Sequence, residues 1–114
     1  MEIKTIQLSK KIDSKEILRG IDVTFEKGCT NVIIGPNGAG KTSLLKQIAL
    51  LDKPSYGEIF YDGISLSKMD NKTKTNLRRK IGFVFQNPIM LTGTVYSNLI
   101  YGLKLRKQEV VKNE

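Results

Sequence analysis

At 114 residues, 39% apolar and 26% charged, the chain has room for a single folding unit with a real core and the composition of an ordinary globular protein. No apolar run approaches the roughly 20 residues that span a bilayer, the N-terminus lacks the apolar core of a signal peptide, and a lone cysteine, Cys29, excludes an internal disulfide. The net charge of +8 is concentrated from Lys68 to Lys80, where six basic residues face one acid, Asp70. That stretch has no interleaved aromatic residues, so it reads as a solvated helix face beside an anionic surface or a partner, and nucleic acid is not expected.

In chain order, residues 2–8 and 21–26 read as an antiparallel strand pair, the second alternating through Ile21, Val23 and Phe25, with a polar loop around Asp13-Ser14-Lys15. Cys29 reads as a small residue filling space before Thr30-Asn31-Val32-Ile33-Ile34, a β-branched apolar run suited to a strand covered on both faces. Then comes GPNGAGKT, Gly35 to Thr42, which matches G-x-x-x-x-G-K-[ST] at every fixed position. Leu44, Leu45, Ile48 and Ala49 follow at helical spacing. A strand, a glycine loop and a helix in that order turn several backbone N–H groups into one concavity at the positive end of the helix, a phosphate site.

Within the loop, Gly35, Gly38 and Gly40 allow backbone conformations closed to other residues, while the side chains of Asn37 and Ala39 matter less than their amides. Lys41 is placed to reach β- and γ-phosphates, Thr42 to offer its hydroxyl to Mg²⁺, and Ser43 follows them into the helix start.

Leu51 to Gly57 stops the helix, Glu58 to Tyr61 starts a short strand, and Ser65 to Thr75 reads as a loop leading into a basic helix. Ile81 to Gln86 reads as a buried strand closed by Asn87-Pro88. Thr94 can cap a helix carrying Val95, Leu99 and Leu103, and the charged tail from Lys104 reads as frayed. Asp52 follows four apolar residues as a metal-binding aspartate on a strand does, but that run continues the helix leaving the loop, so no metal role is expected. Asn71-Lys72-Thr73-Lys74 ends in a lysine and cannot read guanine as N-K-x-D does.

Taken together, GPNGAGKT and RRKIGFVFQNPIMLTGTVYSNLIYGL resemble the nucleotide-binding subunits of ATP-binding cassette (ABC) transporters over nearly the whole chain. The resemblance implies an α/β P-loop NTPase fold, incomplete here: an N-terminal antiparallel β part, the phosphate loop, the first helix and a Q-loop strand. Residues 1–114 then form the N-terminal part of one ATP-binding domain, ending before the signature and Walker B motifs. ATP and Mg²⁺ are the implied ligands. Gln86 would contact Mg²⁺ and the attacking water, and Asn87 to Tyr101 would face a membrane-spanning permease subunit. Ile12 stands where the family stacks an aromatic residue on adenine, so base packing would be aliphatic. LLDKPSYGEIFYDG is similar to importer ATPases, those for tungstate or molybdate among them. A second ATP-binding subunit and, for an importer, a substrate-binding protein complete the implied assembly, peripheral on the cytoplasmic face of the membrane. A P-loop kinase and a non-catalytic nucleotide-binding module are the alternatives.

Overall fold

The computed structural model describes residues 1–87 and 90–105. The chain divides into two compact units, Met1–Phe83 and Val84–Glu114. In the first, β1 (Ile3–Ile12) and β2 (Lys15–Phe25) form an antiparallel hairpin, and β3 (Tyr56–Tyr61) and β4 (Ile64–Ser65) extend it into a four-stranded sheet ordered β2-β1-β3-β4. Asp13 and Ser14 both adopt positive φ, 49° and 67°, so the turn between β1 and β2 has the twist that matches its strands. The strands run longer than the hydrophobic pattern suggested because this turn keeps the ladder paired to Ile12↔Lys15.

A bulge sets which residues of β1 face inward. Strict alternation would bury Thr5 and Gln7 together, but Gln7 has φ 50° and the register shifts there, so Thr5 and Leu8 are the buried pair. Asp22 stabilises the bulge, accepting from the Gln7 amide at 2.7 Å and from Gln7 Nε2 at 2.7 Å. Gly57 crosses it so closely that a Cβ would lie 2.2 Å from the Gln7 carbonyl oxygen.

Two helices cover this face. α1 (Lys41–Ile48) contributes Leu44, and α2 (Asn71–Arg79) contributes Leu77, to a core with Leu8, Leu18, Ile59 and Tyr61. The Tyr61 hydroxyl donates to the Ile48 carbonyl at 2.6 Å and so anchors the end of α1 to β3; burial raises the pKa of that phenol. α2 begins earlier than expected. Its cap is Asp70, whose carboxylate accepts from the Thr73 amide at 2.7 Å, and a 3₁₀ turn at Leu66–Lys68 occupies the stretch that reads as loop.

Neither segment that reads as a central strand carries a sheet ladder among the described residues. Ile33 packs on the core while Val32 and Ile34 are 77% and 91% exposed, and Ile81 packs on the core while Val84 is 94% exposed. An apolar run needs a parallel neighbour to become a two-sided strand, and the sheet described here is antiparallel throughout. Cys29 is exposed rather than space-filling, since the loop before Thr30 has no layer above it.

In the second unit α3 (Val95–Leu105) starts where Thr94 accepts from the Ser97 amide at 3.0 Å. Asn98 fastens the preceding loop, accepting from the Leu91 amide at 2.8 Å and donating to the Leu91 carbonyl at 3.1 Å. Pro88 and the tail after Leu105, both assigned from sequence, lie outside the described residues.

Candidate functional site

In the loop from Gly35 to Thr42 only Gly38 and Gly40 need glycine: Gly35, expected to need it too, has no positive φ, and a Cβ there would lie an ordinary 3.5 Å from the Ala39 Cβ. Gly38 has φ 84° in open space, so only its conformation demands glycine. Gly40, at φ 92°, also lies against β2: a Cβ there would sit 2.7 Å from the Ile17 carbonyl oxygen and 2.9 Å from Leu18. The hairpin thus sets the height of the loop through backbone contact. An Ala39 amide bond to the Pro36 carbonyl, 3.2 Å, closes the turn between them.

Gly40 is the N-cap of α1 and brings no side-chain acceptor, and no acidic residue stands in the first turn. The first intrahelical bond runs from the Leu44 amide to the Gly40 carbonyl at 2.9 Å. The amides of Lys41, Thr42 and Ser43 therefore have no helical acceptor, and the dipole of α1 adds positive potential where they emerge. An anion is the chemistry that completes such a helix start. Thr42 is exposed and Lys41 and Ser43 are half-buried, so the side chains line the rim of the site.

Lys41 folds back along the loop and its ammonium donates to the Gly35 carbonyl. The cation is thereby held at the start of the loop. A phosphate would compete with a neutral carbonyl for it, and an ionised acceptor makes the stronger bond. Asn37 and Ala39 are exposed on the turn. These observations fit a polyphosphate: free amides, a dipole, one positioned ammonium and a hydroxyl beside it.

Ile12, at the end of β1, is 50% exposed. Gln86 is exposed at a bend of the second unit, and Asp52 is engaged elsewhere, accepting from Lys10 Nζ at 3.1 Å and from the Lys53 amide at 2.8 Å. Among the described residues no three His, Cys, Asp or Glu side chains gather as a metal site, and no helix is long and apolar enough to cross a membrane. Sequence reasoning missed Gly57 and Asp22, which hold the bulge within β1 of the hairpin that supports Gly40. Glycine before a short strand was the only signal.

The model of the family described as ABC transporter matches residues 18–113. The methionine import ATP-binding protein MetN 1 of Listeria monocytogenes is 38% identical over 117 residues, covering 100% of this chain and 34% of its own length. The dimeric structure of MJ0796, a bacterial ABC transporter cassette, superposes with a TM-score of 0.80 at 31% identity, covering 96% of this chain and 50% of that one. The dimeric post-hydrolysis state of the same cassette, bound to ADP and Pi, gives a TM-score of 0.79 at 30% identity over the same shares of the two chains. The chain thus spans about a third of the length of that import protein and half of the cassette.

Proposed function

The chain belongs to the ABC transporter family, and from that premise we propose that it binds the triphosphate of ATP, with Mg²⁺, on the loop Gly35–Thr42 as part of a subunit whose ATP hydrolysis powers solute transport across a membrane. The observation that carries this reading is the start of α1, where three amides lack helical acceptors, the Lys41 ammonium folds back onto the Gly35 carbonyl and Gly40 is pressed against β2. The loop amides from Asn37 to Ser43, other than that of Ala39, which is held by the Pro36 carbonyl, would donate to phosphate oxygens. Lys41 would exchange the Gly35 carbonyl for the β- and γ-phosphates, and Thr42 would offer its hydroxyl to Mg²⁺. Bound Mg²⁺ supplies neutralisation of charge on the phosphates.

Gln86 is assigned the contact with metal and attacking water, and Ile12 an aliphatic surface for the base; both assignments rest on the family resemblance. The residues 1–114 correspond, in this reading, to the N-terminal part of one ATP-binding domain. Its partners would be a membrane-spanning permease subunit, a second ATP-binding subunit and, for an importer, a substrate-binding protein, on the inner face of the cytoplasmic membrane. No nucleic-acid partner is included.

Calorimetric titration with ATP and Mg²⁺ tests the reading. Lys41→Ala should weaken binding by about tenfold or more, the worth of one charge-assisted bond to phosphate. Equal affinity of the two chains would remove the phosphate-loop assignment.

A further inference from the structure

The first unit holds a cavity of about 280 Å³ that the nucleotide reading does not use. Its apolar part is formed by Leu50, Leu51, Pro54 and Leu66. Half-buried Lys74 and exposed Arg78 also line it, together with Lys53 and Asp52. At positions i and i+4 of α2, Lys74 and Arg78 stand on one helical face.

Two features mark the cavity as more than a gap between elements. Leu50 takes the left-handed conformation, φ 64°, that ends α1, with its amide on the Gln47 carbonyl at 3.1 Å and the Leu51 amide on the Lys46 carbonyl at 2.9 Å. Glycine adopts that conformation without penalty, whereas here a branched side chain is kept there, half-buried and lining the cavity. The charges, moreover, are unbalanced. Asp52 is the only carboxylate of the lining and is engaged by Lys10 and the Lys53 amide, while Lys74 and Arg78 form no ion pair among the described residues. Burial alone raises the Asp52 carboxyl, but those bonds outweigh it and hold it below its ordinary value, so its charge stays committed to Lys10.

We propose that this cavity binds a small amphipathic carboxylate, its head between Lys74 and Arg78 and its short apolar body against Leu50, Leu51, Pro54 and Leu66. The volume, just under the range of about 300–1,000 Å³ occupied by drug-sized ligands, suits a body of a few carbons. A planar guanidinium matches a carboxylate with two parallel bonds, and the neighbouring ammonium adds a point charge.

The test follows backbone amide resonances of the ¹⁵N-labelled 114-residue chain during titration with hexanoate, hexanol and acetate. Hexanoate should give saturable shifts at Leu50, Leu51, Leu66 and Arg78. Acetate lacks the body and hexanol the charge, and each should bind about tenfold more weakly. Lys74→Gln combined with Arg78→Gln, which leaves the buried Leu77 untouched, should reduce hexanoate affinity by a similar factor, and Lys41→Ala should leave it unchanged. Hexanol binding as well as hexanoate, absence of saturation, or loss of the response in Lys41→Ala would each overturn the proposal. The last outcome would move the signal to the phosphate loop, so this test and the ATP titration fail independently.

Discussion

Gly40 and Gln47 lie seven residues apart on the same short helical segment and show opposite uses of a residue. Gly40 is required twice, by a positive φ and by the Ile17 carbonyl, and this double constraint holds the amides of the loop in place. Gln47 is fully buried, and neither its amide nitrogen nor its amide oxygen has a partner among the described residues. A buried polar group without a partner costs about 1–3 kcal/mol. Gln47→Met keeps an unbranched side chain of similar size without those atoms, and should raise stability by about 1–2 kcal/mol. Urea unfolding of the two chains checks it, through a higher midpoint at unchanged slope.

At the scale of elements, α2 depends on one acid. Asp70 is the only carboxylate in the basic stretch and caps a helix that ends in Arg78 and Arg79, so charge at both ends complements the helix dipole. Its hydrogen bonds with Thr73 lower its pKa from 3.8. A carboxyl depressed in the folded state contributes stability that is present above its unfolded value and is lost as pH falls through the folded value. The Thr73 amide resonance should therefore titrate with a midpoint below 3.8 while helical carbon shifts over Asn71–Thr73 decline. In Asp70→Asn that titration should vanish. The cap was readable from an Asx residue before the basic run, but the polar composition of Ser65 to Thr75 concealed it, because caps and loops draw on the same residues.

For the molecule as a whole, the covered face and the uncovered segments coexist in one chain. The antiparallel sheet closes its core with α1 and α2, yet Val32, Ile34 and Val84 present apolar side chains to solvent. Exposed apolar surface favours association. The chain should self-associate as concentration rises, and Val32→Lys with Val84→Lys should increase the monomer share in sedimentation velocity without lowering the melting temperature, since both positions are almost free of contacts. Unchanged association would place the sticky surface elsewhere, with Val95 and Leu99 on α3, 72% and 76% exposed, the next to substitute.

The sequence made the loop from Gly35 to Thr42 legible as a candidate phosphate site, because the signal is local: a glycine pattern, a lysine and a hydroxyl at set spacing act within eight residues. It made the β1–β2 pairing and the Thr94 cap legible as well. The Gln7 bulge, the hold of the Ile17 carbonyl on Gly40 and the meeting of Leu50, Leu66 and Arg78 around one cavity come from packing, since each joins residues far apart in the chain. Strand character at Thr30–Ile34 and Ile81–Gln86 belongs to the same class. β-Branched composition prepares a segment for a sheet, but hydrogen bonds across to a neighbour make it a strand, and neighbours are a property of the fold.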